Sequence, residues 1–136
     1  MTFSKTLAAC IALTGLISGA AFAHHSTRGI YHDDQVVEKT GVVKAWRFIN
    51  PHPYLTIDVE ENGEVHEYDV SYGGSAVVHL QRRGYTENTF TPGETIIVSG
   101  HPARAPGVYG LLVEGRVGDP KRADGTPVVE PGGSQF

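Results

Sequence analysis

The stretch YLTIDVEENGEVHEYDVS, residues 54–71, decides the fold. In its first half apolar residues alternate with polar ones, and the apolar set is Leu55, Ile57 and Val59. This period of two is typical of a strand with one face buried. Asn62-Gly63 follows, and both residue types tolerate the positive φ angles of a two-residue hairpin turn. The stretch therefore predicts two antiparallel strands joined by a tight turn.

The sequence on either side of this hairpin predicts three more strands and one short helix. Residues 36–48 are rich in valine and aromatic residues, with Gly41 as the expected bulge. Ser75 is the expected N-cap of the helix. The remaining predicted elements are a helix over 76–83 and strands over 95–100 and 111–117. Strand, strand, strand, helix, strand, strand is the order of an OB-fold. We therefore expect an all-β domain, a five-stranded OB-fold-like Greek-key barrel with one helix between strands 3 and 4.

The two ends of the chain differ in character from this barrel, which we expect to span residues 36–118. Residues 1–23 have the features of a cleaved signal peptide: Lys5, an apolar run and a small-residue site at Ala21-Phe22-Ala23. Residues 24–35 are predicted to form an irregular arm, and the Pro/Gly-rich residues 119–136 a loosely ordered tail. We expect a periplasmic product with no stable membrane insertion after cleavage.

Composition excludes several classes of function. The formal net charge is −4, whereas a nucleic-acid partner requires a basic surface that releases counterions from phosphates. Cys10 is the single cysteine, and it lies within the expected signal peptide. Disulfides and thiolate chemistry are therefore not expected in the mature domain. No catalytic residues are predicted, because no serine is flanked by the glycines of a nucleophile elbow and no glycine-rich loop fits a phosphate.

Two proline-rich loops suggest where a ligand could bind. Asn50-Pro51-His52-Pro53 follows the first predicted strand, and residues 101–106 follow the fourth. An OB-fold binds its ligands on the strand 2–3 face and in these two loops. The alternative interpretation is that the loops bind nothing: prolines stiffen the loops of any barrel, and the histidines are simply exposed to solvent. The predicted ligand-binding cleft consists of Trp46, Asn50, His52, Tyr54, Arg104 and Tyr109.

Cleavage after Ala23 would create a candidate copper site. His24 would then carry a free α-amine beside its own imidazole, and these two nitrogens can chelate one metal ion. His25 supplies a second imidazole, and His52, His101 or His32 could supply a third. An all-nitrogen set suits Cu(II), and zinc is less expected because no thiolate or carboxylate accompanies it. The predicted metal residues are His24, His25, His52 and His101.

Several segments together resemble a family of small exported bacterial proteins that is described only as a domain of unknown function. The matching residues are Ala23-His24-His25-Ser26, Gly41-Val42-Val43 with Trp46, Asn50-Pro51-His52, Leu80 to Gly84, Pro92-Gly93-Glu94, and Gly100 to Arg104. The resemblance implies a periplasmic OB-like barrel and supplies no established activity. This sequence departs from the family pattern at two places. Tyr85 stands where tryptophan is usual, and Pro53-Tyr54 stands where an aromatic residue is expected soon after the histidine.

These observations leave three hypotheses for the function. The first is a periplasmic module that binds a small molecule or a copper ion. The second is an accessory subunit that holds a periplasmic protein partner in the same cleft without metal. The third is an enzyme acting on a small molecule through Tyr54, His52 and Arg104. Metal content of the exported protein separates the first hypothesis from the others.

Overall fold

The computed structural model describes residues 27–114 and 117–130. The expected signal peptide, with His24 and His25 after it, lies outside the described residues. A single 3-10 turn at Thr27–Gly29 precedes the barrel. The regular elements are β1 (Val37–Arg47), β2 (Tyr54–Glu61), β3 (Glu64–Ser71), α1 (Val77–Arg82), β4 (Thr95–Pro102), β5 (Gly110–Leu112) and β6 (Lys121–Arg122).

Five of the strands close into a barrel. They follow the order β1-β2-β3-β5-β4, and β1 pairs with β4 to complete the circle. The β3–β5 pairing is parallel, and all the other pairings are antiparallel. The predicted OB-like barrel with a helix between strands 3 and 4 is confirmed.

The central hairpin has the register that its alternation predicts. Leu55 and Ile57 have no exposed surface, and Val59 is 3% exposed. Asn62 and Gly63 adopt φ angles of 54° and 82°, the two positive values that a type I′ turn requires. The local sequence signals therefore determine both the turn and the buried face.

β1 bends where it passes from β4 to β2, but its bulge is not at Gly41. The register shifts between Val43 and Ala45, which makes Lys44 the extra residue. Gly41 serves a different purpose: a Cβ there would lie 2.9 Å from the carbonyl oxygen of Asp58. Glycine at this position lets the backbones of β1 and β2 approach closely.

The helix is shorter than predicted, and its cap is another residue. It begins at Val77, and no side chain of the adjoining segment caps it, so the expected Ser75 cap is wrong. Instead, Oδ1 of Asn50 accepts a hydrogen bond from the Val77 amide at 3.3 Å. A free amide at a helix start can be satisfied by any acceptor that the fold brings to it. Here the β1–β2 loop supplies that acceptor.

The C-terminal part of the chain also differs from the prediction. β5 ends at Leu112 rather than at residue 117, because only residues 110–112 pair with β3. Beyond it, β6 pairs with Ile96 and Ile97 of β4. Val129 is only 6% exposed and belongs to the core. The expectation of a loose tail is therefore wrong for the described residues up to 130.

Candidate functional site

The outward face of β1, β2 and β3 forms an open groove of about 630 Å³. It lies on the strands that carry ligands in OB-folds. Its lining residues are Lys44, Ala45, Arg47, Tyr54, Thr56, Glu67, Asp69, Val70 and Ser71.

Strand register arranges the floor of this groove in three rows that run across the strands. The rows are Arg47–Tyr54–Ser71, Ala45–Thr56–Asp69 and Val42–Asp58–Glu67. Residues two apart on a strand point to the same face, so the three rows all face outward. The groove is therefore built by side chains of the three strands and not by the loops.

The bulge at Lys44 decides which residues of β1 join these rows. Strict alternation from the buried Val43 would turn Trp46 outward and Arg47 inward. The extra residue reverses this order, so Ala45 pairs with Thr56 and Arg47 with Tyr54 on the outer face. Trp46 is placed on the inner face opposite Leu55. Because of the bulge, the groove contains the guanidinium of Arg47 and not the indole of Trp46.

One end of the groove contains an ion-paired lysine. The Lys44 ammonium pairs with the Glu67 carboxylate and lies 3.9 Å from Asp58. The hydrogen bond to Glu67 and the charge of Asp58 raise the pKa of Lys44 above its usual value. All three side chains are more than a third exposed, so solvent screens this pairing. The group fixes side-chain positions more than it adds stability.

The rest of the groove carries two charges that have no ionic partner within residues 27–114 and 117–130. The Arg47 guanidinium lies 5.8 Å from the centre of the Tyr54 ring. Within the described part of the chain, Arg47 makes no ion pair and no hydrogen bond through its side chain. Asp69 accepts a 3.4 Å hydrogen bond from the Thr56 hydroxyl and likewise pairs with no described cation. Opposite charges thus lie on adjacent rows, each able to accept an external partner.

The N-terminal arm borders the Asp69 side of the groove. Burial, followed by the negative charge of Asp69, raises the pKa of the Tyr31 phenol, while a hydrogen bond with Ser71 lowers it. Tyr31 also forms a bridge with Ala103. The arm is therefore packed on the barrel beside β3.

Three of the predicted cleft residues have structural contacts elsewhere. Trp46 donates from Nε1 to the Thr86 carbonyl at 2.8 Å and packs among core aromatic residues. Asn50 caps α1, as described above. Arg104 donates to the Tyr31 carbonyl at 2.7 Å and to Asp33 at 3.0 Å, so it anchors the arm.

The other three occupy different surfaces. Tyr54 lines the β1–β2–β3 groove. Tyr109 stacks on the His66 ring, with centroids 4.1 Å apart and planes inclined by 13°. His52 is exposed beside Gly74. The structure does not bring these residues into one cleft.

The structure does not bring the predicted metal residues together in one site either. His24 and His25 lie outside the described residues, and His52 is not among the residues that line the pocket containing His101. That pocket has a volume of about 40 Å³ and is lined by Thr27, Tyr31, His32, Asp33, His101, Leu112 and Glu114. Among residues 27–114 and 117–130, no three His, Cys, Asp or Glu side chains come together to hold a metal ion.

His101 nevertheless has a defined ring orientation. Its Nδ1 lies 2.7 Å from the Gln35 carbonyl oxygen. A carbonyl can only accept, so Nδ1 carries a proton in this contact, and in the neutral imidazole Nε2 then keeps its lone pair. This is the arrangement in which a histidine is ready to bind a metal through Nε2.

Sequence reasoning missed four charged residues of the groove: Lys44, Arg47, Glu67 and Asp69. Glu67 and Asp69 alternate with the buried Tyr68 and Val70 on β3. This alternation could have identified them as outward partners of Asp58 and Thr56. Nothing in the sequence of β1 marks the bulge at Lys44 rather than at Gly41, so Arg47 could not be assigned to the groove.

Fold and groove together define a small OB-like barrel domain with a polar, charged concave face. The chain belongs to a family of unknown function, DUF6152, whose sequence profile matches residues 13–112. Comparison with curated proteins finds no match. In the described part of the chain, no helix has the length and apolar character needed to cross a bilayer.

Proposed function

We propose that this protein is a periplasmic binding module that holds a small polar ligand in the β1–β2–β3 groove. The observation that carries the proposal is the groove itself, which offers about 630 Å³ together with two charged side chains that have no ionic partner in the part of the chain that the structure describes. Small-molecule sites commonly measure about 300–1,000 Å³ and contain a few directed polar groups. The signal-like residues 1–23 support export.

Chemical-shift mapping tests the proposal. Isotope-labelled protein is titrated with amino acids, short peptides, dicarboxylates, polyamines and monosaccharides, one class at a time. We expect one class to shift amide signals of residues 44–47, 54–58 and 67–71. The Ala45→Phe variant places a ring on the groove floor and should abolish those shifts.

Two results would contradict the proposal. Shifts confined to another surface would place the ligand elsewhere, and no response to any class would remove the small-ligand reading. In the second case, a protein partner on the same face becomes the leading hypothesis. Equal unfolding midpoints for wild type and Ala45→Phe are needed as a control for folding.

A second candidate function is copper binding at the arm, favoured by the free Nε2 of His101. His32 and Thr27 line the same small pocket as His101. Since three residues span at most about 10 Å, an amino terminus at His24 could reach this pocket from Thr27. The terminal amine and imidazole would then join His101 and His32 in an all-nitrogen set, which suits Cu(II).

We predict that protein with a mature start at His24 binds one Cu(II) at least about tenfold more tightly than a form with one extra N-terminal methionine. The extra residue separates the free amine from the His24 imidazole but keeps every side chain. Neutral imidazoles are required, so affinity should fall as the pH drops through about 6.5. Calorimetry on protein whose start is checked by intact mass measures both effects.

Histidine variants locate the remaining ligands. His101→Ala should weaken copper binding, whereas His52→Ala and the helix variant His79→Ala should leave it unchanged. Equal affinity with and without the added methionine would show that the terminal pair is incidental. Loss of binding in His52→Ala alone would instead place the metal at the β1–β2 loop.

A further inference from the structure

We infer that the groove ligand is a small zwitterion of about tripeptide length, with its carboxylate at Arg47 and its ammonium group at Asp69. This inference rests on the proposed function, because it specifies the ligand of the same groove.

Arg47 is suited to a carboxylate. Its guanidinium lies against the Tyr54 ring and has no ionic partner in the described residues, as shown above. A guanidinium placed over an aromatic ring still presents its N–H edge, which matches the two oxygens of a carboxylate. A ligand anion can therefore bind at this row without displacing an existing ion pair.

Asp69 is suited to an ammonium group. Its backbone amide is already used, because it donates to the Tyr109 carbonyl at 3.1 Å. Among the described residues, only Thr56 donates a side-chain hydrogen bond to its carboxylate, and this bond is long, which leaves acceptor capacity for a charged donor.

The Lys44 end of the groove strengthens this polarity. Lys44 is shared between Glu67 and Asp58, so the charge of this triad is negative overall. The groove is consequently negative from the Asp58 row to Asp69 and positive at the Arg47 row. A ligand with separated charges has one favoured orientation in this field, whereas a pure anion or pure cation meets a repelling end.

Strand geometry sets the length of the ligand. Arg47 and Asp69 lie two strands apart and on adjacent rows, which places their Cα atoms roughly 12 Å apart. If the two charged groups keep a similar separation, a free α-amino acid is too short to reach both residues. An extended tripeptide separates its termini by about 10 Å, so triglycine is the simplest probe.

The test uses three peptides and two variants. Triglycine carries both charges, N-acetyl-triglycine lacks the cation, and triglycine amide lacks the anion. We expect wild type to bind triglycine about tenfold more tightly than either capped peptide, since each cap removes one charge-assisted hydrogen bond. Affinities are measured by NMR titration.

Each variant should abolish the preference for triglycine over one of the two capped peptides and keep the preference over the other. Arg47→Gln should bind triglycine and triglycine amide equally but still prefer a free amine. Asp69→Asn should bind triglycine and its acetylated form equally but still prefer a free carboxylate. Arg82→Gln and Glu87→Gln change exposed charges outside the groove and serve as matched controls.

The outcomes distinguish this inference from the proposed function. Capped peptides that bind as tightly as triglycine would overturn the zwitterion. No peptide binding, combined with groove shifts from another compound class, would overturn it and leave the groove as the ligand site. Absence of groove shifts from every class would overturn both.

Discussion

At the scale of the residue, Ile57 shows how little freedom the barrel interior allows. It is fully buried on β2, and on β1 it pairs with the buried Val43. We predict that Ile57→Asp unfolds the domain, because an unpaired buried carboxylate costs several kcal/mol, on the order of a small domain's whole stability. Circular dichroism and urea titration measure the effect.

Val65 provides the matched control for that substitution. It belongs to the same hairpin but is 65% exposed, so Val65→Asp should change the stability by about 0.5 kcal/mol or less. A folded Ile57→Asp protein, or equal losses in the two variants, would show that the assigned register is incorrect.

At the scale of the element, three strands are linked outside the groove by one carboxylate. Glu61 at the end of β2 pairs with Lys39 of β1 and accepts a 2.8 Å hydrogen bond from the Tyr68 hydroxyl of β3. The hydrogen bonds from Lys39 and then Tyr68 lower the pKa of Glu61 below its usual value. This stabilisation is therefore present above the unfolded pKa of about 4.3 and is lost as the pH falls through the lower folded value.

We predict that Glu61→Gln weakens the acid dependence of stability. Wild type should lose more unfolding free energy than the variant between about pH 5 and pH 3, because only the wild type has this ionised carboxylate to protonate. Urea unfolding at a series of pH values measures the two slopes. Glu60→Gln, one residue earlier and exposed, should keep the wild-type slope; identical slopes for Glu61→Gln would contradict the prediction.

At the scale of the whole molecule, the features that sequence could predict are those encoded locally. The hairpin turn at Asn62-Gly63 and the buried face of β2 depend on neighbouring residues, and both are confirmed. The cap from Asn50, the short β5 and the packing of Val129 depend on segments far apart in the chain. No local pattern reports such contacts.

The residues of the candidate site also fall into those that a local pattern can place and those that depend on strand pairing. Tyr54 lies on the groove face because alternation along β2 places residues 54, 56 and 58 on one side of the strand, and its role in binding stays a prediction. Trp46 was assigned to the wrong side, since one extra residue at Lys44 reverses the alternation of β1. A bulge is set by how two strands pair, and the partner is not visible within the strand itself.

The insertion of β5 between β3 and β4 has a consequence for the order in which the chain acquires structure. β5 pairs with both neighbours, so the ring is incomplete until Leu112 is present. A chain emerging from the ribosome can form the β2–β3 hairpin alone, and isolated hairpins are marginal in water. Most of the barrel must therefore wait until β5 has been synthesised. If the chain is exported as proposed, this delay keeps the segments before Leu112 able to pass through a translocation channel until that point.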